Sequence, residues 1–129
     1  MLNLDTLFDD YEHLLLLSPA VLRFHILRRR TLEHEGYIRI RVELINDELL
    51  EISEFWTDVE GMLNKREYGY HWQGAEGQLV SRWDNVNHHR SLLYAPHHVH
   101  LADRVEGIAK PPDFETVLHE VEKQLGFEV

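Results

Sequence analysis

Two segments in the first third of the chain alternate apolar and charged residues, and this alternation limits the possible folds more than any other feature. Residues 22–26 and 38–44 carry an apolar side chain at every second position. Successive side chains of a β-strand point to opposite faces, so each segment has one buried and one solvated face. The pattern is typical of antiparallel sheets that are covered on one side only.

Turn-forming residues connect further strand-like segments. Asn46 and Asp47 follow the second segment, and Gly74 and Gly77 come directly after a run in which tyrosine and tryptophan alternate with other residues. Short gaps of this composition between strand patterns indicate β-hairpins. The predicted hairpins join residues 38–44 to 49–55 and residues 67–73 to 79–84.

Both ends of the chain show a helical period. Apolar residues recur at steps of three and four after Asn3 or Asp5 and again after Asp113, residue types that favour helix caps. We therefore predict a single α+β domain over residues 1–129, an antiparallel sheet of about five strands with the N- and C-terminal helices packed on one face. The strand positions expected to face the helices are Leu22, Phe24, Ile26, Ile38, Ile40, Val42, Leu44, Leu50 and Ile52.

The composition excludes several classes of protein. The 129 residues include no cysteine, which excludes a disulfide scaffold, a thiolate metal site and a cysteine nucleophile. The longest apolar run, residues 14–17, is far shorter than a membrane span, so we expect a cytoplasmic protein with no membrane contact. The formal net charge of -10 disfavours non-specific binding of nucleic acid by the molecule as a whole.

Histidines are concentrated in the second half of the chain. Residues 85–112 lack a clear period and are predicted as a loop with one short strand around residues 98–101. Such a strand would place His98 and His100 on one face and His97 on the other. Imidazoles can transfer protons, bind a metal ion or donate to phosphate. The clustered histidines are His71, His88, His89, His97, His98 and His100.

Three interpretations of these histidines remain open. They could form a proton-transfer site that needs no cofactor, or a divalent metal site, or they could be ordinary surface and turn residues. No zinc-binding motif is present. The ligands of a metal would be His97, His98 and His100.

Arginines are enriched in the first two predicted strands and could form a basic sheet face. If that face borders the histidines, guanidinium groups could hold phosphate while a histidine pair moves protons, as in metal-free RNA cleavage. A solvated face paired to nearby carboxylates is an equally good interpretation. These arginines are Arg23, Arg28, Arg29, Arg30, Arg39 and Arg41.

Three runs in fixed order, with the glycine turn after the first, carry a family resemblance. They are Tyr68-Gly-Tyr-His-Trp-Gln, Arg82-Trp-Asp-Asn-Val-Asn-His-His and Pro96-His-His-Val-His. The chain resembles, from about residue 22 to the C-terminal helix, the TumE family of small prokaryotic toxins from type II toxin-antitoxin pairs. It departs from the family pattern at Asn87, where proline is usual, and at Val99, where lysine is frequent. The matched positions are His71, Arg82, Asp84, Asn85, His88, His89, Pro96, His97, His98 and His100.

Two hypotheses of function follow. In the first, the chain is a toxin that cleaves RNA without a metal: Arg82 holds phosphate, and Asp84 orients an imidazole. The acid and the base are two of His88, His89, His98 and His100. The candidate catalytic residues are His71, Arg82, Asp84, His88, His89, His98 and His100. In the second, the chain is a small non-catalytic domain that binds a protein or a metal.

The resemblance implies a cognate antitoxin as partner. The negative charge of the chain counts against RNA and favours a basic antitoxin segment that docks on acidic residues. An exposed sheet edge could also support a homodimer. The predicted docking residues are Asp47, Glu48, Glu51 and Glu54.

Overall fold

The protein forms one antiparallel sheet between two helices. A computed structural model describes residues 3–85, 97–108 and 110–127. The seven strands lie side by side in chain order, and every neighbouring pair is antiparallel. The elements are α1 (Leu4–Leu17), β1 (Val21–Thr31), β2 (Glu35–Leu44), β3 (Leu49–Val59), β4 (Met62–Gln73), β5 (Leu79–Asp84), β6 (His98–Leu101), β7 (Val105–Gly107) and α2 (Phe114–Gln124). The predicted α+β class is confirmed, with seven strands where about five were expected.

The two helices begin at the predicted caps. The Asn3 side chain accepts a hydrogen bond from the Thr6 backbone, and the Asn3 backbone donates to the Thr6 hydroxyl. Asp113 accepts from the backbone of Thr116 in the same way. These side chains satisfy backbone N–H groups that a helix leaves without a partner in its first turn.

Both helices contribute to one hydrophobic core that covers a single face of the sheet. Phe8 and Leu15 of α1 and Phe114 and Val121 of α2 pack in this core with the predicted apolar positions of the strands. Leu22 is the exception and the prediction for it was wrong, because it is 55% exposed. The pairing of β1 and β2 shifts register beside it, and this irregularity turns the side chain away from the helices.

Two of the hairpin turns and one strand were not located from the sequence. β1 and β2 form a hairpin, and β3 continues into β4 through a tight turn at Glu60 and Gly61, both with positive φ, of 52° and 81°. Two such residues in sequence are typical of the type I′ turn that suits the twist of a hairpin. The short strand predicted around residues 98–101 is β6, and β7 is an addition to the predicted fold.

A buried carboxylate lies within the helix-facing core. Glu54 is fully buried and accepts hydrogen bonds from the Tyr11 hydroxyl and the Trp56 indole, both at 2.7 Å, and from the Tyr70 hydroxyl. The ammonium of Lys65 lies 3.9 Å from Glu54 and donates to the Tyr70 hydroxyl at 2.7 Å. This network ties α1 to the centre of the sheet.

Arg29 lies on the helix-facing side, unlike the other arginines of β1. Its guanidinium contacts Asp9 at 2.9 Å and Glu12 at 2.6 Å, both on α1. The prediction that assigned Arg29 to a basic face with its neighbours was therefore wrong. The register shift in the pairing of β1 between Ile26 and Arg28 changes which residues point toward the helices.

Among the described residues, neither helix is long enough and apolar enough to cross a membrane.

Candidate functional site

The face of the sheet opposite the helices, called here the open face, aligns chemically active side chains in rows across the strands. Residues that pair directly in an antiparallel sheet share a face, and their Cβ atoms lie about 4.5–5.5 Å apart. One row, the glycine row, comprises His98, Asp84, Gly69, Ser53, Arg39 and Arg28. The adjacent row, the histidine row, comprises His100, Arg82, His71, Glu51, Arg41 and His25.

Asp84 is the centre of the candidate site. Its carboxylate is 1% exposed and lies 2.8 Å from Nε2 of His98 through Oδ1. The other oxygen, Oδ2, accepts a hydrogen bond from Nε of Arg82 at 3.1 Å and lies 3.4 Å from Nε2 of His100. One buried carboxylate thus joins two imidazoles and a guanidinium.

Exposure separates the groups that can reach a ligand from those that cannot. The side chain of His98 is 1% exposed, whereas that of His100 is 20% and that of Arg82 is 47% exposed. His98 also packs edge-on against the His100 ring, with centroids 4.8 Å apart. We infer that buried His98 fixes the positions of Asp84 and His100, and that His100 and Arg82 are the groups accessible from solvent.

His71 approaches Arg82 from the opposite side. It pairs with Arg82 across β4 and β5, as His100 does across β5 and β6, so one histidine lies on each side of this arginine in the histidine row. The His71 ring contacts Oε1 of Gln73 at 3.2 Å. The predicted residues His71, Arg82, Asp84, His98 and His100 therefore come together on the open face.

His97 does not join them. Its ring stacks on Tyr68 on the helix-facing side, and Nδ1 lies 3.0 Å from the Tyr68 hydroxyl. Burial raises the pKa of Tyr68, so this hydroxyl keeps its proton and can donate it to the ring. Of the three predicted metal ligands, His98 and His100 lie on the open face and His97 lies on the other side of the sheet. Among the described residues, Asp84, His98 and His100 form a group of three whose possible ligand atoms lie within 4.8 Å of one another.

Lowering the pH is expected to destabilise the fold in part through His97. Burial lowers the pKa of His97, and Lys65 and His98 add to the effect, so the unfolded chain takes up this proton more readily. The stability contributed by neutral His97 is complete above about pH 6.5 and is lost as the pH falls toward the folded-state pKa. Urea unfolding between about pH 7.5 and 5 should show a smaller loss for His97→Gln than for the wild type.

The exposed His34 provides the control for this measurement. His34→Gln should lose as much stability on acidification as the wild type. An equal loss in all three proteins would contradict the assignment to His97.

Three positions of the family motif, His88, His89 and Pro96, lie outside the described residues. Two of them, His88 and His89, were predicted as catalytic, and they stay predictions.

Most arginines of the sheet lie on the open face, whereas Arg29 faces the helices. Although the chain has ten more acidic than basic residues, the residues that pair across this face include six arginines and five carboxylates, and Arg66 of β4 borders the same face, so the acidic excess lies elsewhere. The paired arginines are Arg23, Arg28, Arg30, Arg39, Arg41 and Arg82, and the carboxylates are Glu35, Glu43, Glu51, Glu67 and Asp84. Except for Arg29, the arginines singled out in the sequence share this face and adjoin the histidines. Three of them, Arg23, Arg39 and Arg41, lie within 4 Å of glutamates on the same face, which is the paired arrangement that the sequence left open as an alternative.

A trough of about 790 Å³ runs along this face beside the site. Its floor contains Gly69 and Ser53, and its walls include Arg39, Arg82 and Phe55. None of the floor residues was predicted as functional. The sequence signal for this floor is Gly69, which lies between two tyrosines in the middle of a strand. Glycine inside a strand often marks a place where another molecule approaches the backbone.

The predicted acidic docking patch does not form. Glu54 is fully buried on the helix-facing side, whereas Glu51 lies on the open face between Arg39 and Arg41. Glu48 accepts a hydrogen bond from the Trp72 indole at 2.9 Å. Alternation along β3 puts Glu51 and Glu54 on opposite faces, so they cannot belong to one surface.

Comparison with known proteins gives a match to a family profile. No curated protein and no solved structure matches the chain significantly. The profile of the family described as Toxin TumE matches residues 11–126, a span that includes all seven strands, α2 and the whole candidate site. The chain therefore belongs to the TumE family of toxins.

Proposed function

We propose that this toxin cleaves RNA by acid-base catalysis in the cytoplasm and that a cognate antitoxin of a type II pair restrains it. The observation that carries the proposal is the histidine row, in which Arg82 lies between His71 and His100. Cleavage of a phosphodiester needs a base on one side of the phosphorus, an acid on the other and a cation on the phosphate oxygens. The row offers one group for each task.

The reaction proceeds by transesterification. One imidazole removes the proton of the ribose 2′-hydroxyl, and the oxygen attacks the adjacent phosphorus. The bond from phosphorus to the 5′-oxygen breaks, and the second imidazole gives that oxygen a proton. The products are a 2′,3′-cyclic phosphate and a 5′-hydroxyl, and proton exchange with solvent restores both rings. Imidazoles suit both steps because their pKa lies near neutral pH.

Arg82 binds the phosphate in this mechanism. Nε is bonded to Asp84, and among the described residues no other group of the protein engages the terminal nitrogens of this half-exposed side chain. A guanidinium presents paired N–H groups that match two phosphate oxygens. Asp84 therefore orients the guanidinium through Nε, and the terminal nitrogens remain accessible to solvent.

Asp84 also positions His100. The carboxylate beside Nε2 of His100 stabilises the ring in its protonated form as the reaction passes through it. Nε2 of buried His98 lies 2.8 Å from the other carboxylate oxygen and so favours the orientation in which Asp84 faces Arg82 and His100. In this scheme Asp84 and His98 are positioning residues, and His71, Arg82 and His100 contact the substrate.

A divalent metal ion at Asp84, His98 and His100 is the second candidate. Two imidazoles and a carboxylate are a donor set found in zinc and iron sites, and their atoms are already close together. The position of Arg82 argues against a metal ion at this site. Its Nε lies 3.1 Å from the same carboxylate, and this fixed positive charge reduces the affinity for a second cation. The chemistry of the neighbours thus favours the metal-free mechanism.

Incubation of the purified toxin with a single-stranded oligoribonucleotide in EDTA tests the proposal. We expect cleavage with 2′,3′-cyclic phosphate and 5′-hydroxyl ends, and a bell-shaped pH profile whose limbs lie within about one or two units of pH 6.5. Intact RNA in every buffer would contradict RNA cleavage. Activity that EDTA removes and added zinc or manganese restores would favour the metal site.

The antitoxin is tested separately. The product of a gene adjacent to that of the toxin, when co-expressed with it, should copurify with the toxin and relieve growth arrest. Failure of both neighbouring gene products to bind would contradict the type II pairing, without bearing on RNA cleavage.

A further inference from the structure

We propose that the trough on the open face binds a single-stranded segment of RNA and leads it from Arg82 across Gly69 to an aromatic pair, Tyr37 and Phe55. This inference rests on the proposed function and adds the form of the substrate and the path it takes. The evidence lies in the floor of the trough, its length and the chemistry of its far end.

The floor of the trough is open at Gly69, which has no side chain. The fold itself would accept a larger residue at this position. Within residues 3–85, 97–108 and 110–127, a Cβ atom added at Gly69 would have no heavy atom within 4 Å apart from its chain neighbours, and the backbone there is not in the left-handed region. Glycine inside a strand weakens the strand, since it has no side chain to pack and loses more entropy. Neither packing nor backbone geometry requires glycine at position 69. A need to keep the floor of the trough free of side chains does explain it.

The trough extends well beyond the catalytic row. In the glycine row, Asp84 is followed by Gly69, Ser53 and Arg39 on successive strands. At the usual spacing of neighbouring strands, this path covers roughly 14 Å. A single phosphate group does not fill that length, so the trough fits a polymer that continues past the bond to be cleaved.

The far end combines aromatic rings with arginines. Tyr37 and Phe55 pair directly across β2 and β3, and both line the trough. The Arg28 guanidinium lies over the Tyr37 ring, 5.3 Å from its centroid, and Arg39 borders the same end with a half-exposed side chain. Proteins that bind single strands use aromatic rings to stack bases and arginines to hold the backbone.

A single strand fits this chemistry better than a duplex does. In double-stranded RNA the bases are stacked on one another and their faces are not available to protein rings. The trough is lined by three arginines, Arg39, Arg66 and Arg82, and by three carboxylates, Glu51, Glu67 and Asp84, so its lining is neutral while the chain as a whole carries -10. Phosphates bound beside these arginines would avoid the acidic excess on the rest of the molecule. We therefore commit to single-stranded RNA as the occupant.

Affinity for a resistant probe tests the trough apart from the chemistry. The probe is a fluorescent 2′-O-methyl oligoribonucleotide, which has no free 2′-hydroxyl to attack phosphorus, used as a single strand and as a duplex. Gly69→Leu should bind the single strand at least about tenfold more weakly than the wild type, and Gly69→Ala should lie in between. Phe55→Ala should weaken binding by about 5- to 150-fold, the range for one stacked base.

Two controls exclude unfolding as the cause. Gly69→Leu should unfold in urea at the same or a higher midpoint, because the added side chain meets no obstacle. Leu22→Ala, at an exposed apolar position on the same sheet but outside the trough, should bind like the wild type.

The outcomes separate this inference from the proposed function. Wild-type affinity in Gly69→Leu and Phe55→Ala, or equal affinity for the duplex, would overturn the trough even if RNA is cleaved. Trough-dependent binding without cleavage of ordinary RNA would support the trough and overturn the catalytic proposal. If Gly69→Leu loses the antitoxin but keeps RNA affinity, the trough is an antitoxin site and the inference is wrong.

Discussion

Replacing His100 with alanine is expected to reduce RNA cleavage by about 10²- to 10⁴-fold, the usual contribution of one acid or base, and to relieve growth arrest. His100 is the partly exposed imidazole beside Asp84, and its loss removes one of two proton-transfer groups next to Arg82. One limb of the pH profile should disappear with it. Initial rates on a labelled oligoribonucleotide across the pH range measure both effects.

His71→Ala should give a loss of similar size and remove the other limb. Because the two histidines work on opposite sides of one phosphate, the double variant should lose much less than the product of the single losses. His25→Ala is the matched control, since this exposed histidine lies at the far end of the same row. If all three single variants keep wild-type rates, the histidine row does not catalyse cleavage.

Asp84→Asn distinguishes a positioning role from a structural one. Asparagine keeps the shape of the side chain and removes the charge that faces Arg82 and His100. We expect the limb of the pH profile that belongs to His100 to move to lower pH, because its protonated form loses a stabilising partner. A purely structural role for Asp84 would lower stability and leave the position of that limb unchanged.

The faces of the sheet were predictable from sequence, and the composition of the site was predictable only in part. Alternation correctly put His98 and His100 on the side opposite His97. The sequence did not predict that Asp84 pairs directly with His98. Thirteen residues separate β5 from β6, so the register of this pair is not set by a short turn, and a shift of one residue would move every side chain to the other face.

Alternation was also the neglected signal for Glu54. Leu50, Ile52, Glu54 and Trp56 occupy every second position of β3, so period two assigns Glu54 to the helix-facing side. The prediction considered only the charge of Glu54 and therefore assigned this residue to the surface. A carboxylate on the apolar side of a strand indicates a buried polar network, and here the donors come from other elements that local sequence does not identify.

Glu54→Ala is therefore expected to destabilise the fold by about 3–5 kcal/mol, the typical result of removing one partner from a buried ion pair. The substitution leaves the hydroxyls of Tyr11 and Tyr70 without their acceptor and Lys65 without its nearest carboxylate. Burial, with Glu54 beside it, raises the pKa of Tyr70, so this hydroxyl remains a donor in need of a partner. Such a loss is a large part of the 5–15 kcal/mol that stabilises most domains.

Urea unfolding measures the effect, with Glu51→Ala as the control on the same strand. Glu51 pairs with Arg41 at 3.0 Å on the open face, where an exposed ion pair contributes about 0–1 kcal/mol. Should Glu54→Ala fail to fold, Glu54→Gln keeps one acceptor oxygen and is expected to lie between the two. Equal unfolding midpoints for the Glu51 and Glu54 variants would mean that the hydrogen bonds of Glu54 do not stabilise the core. The link from α1 to the sheet would then depend on apolar packing alone.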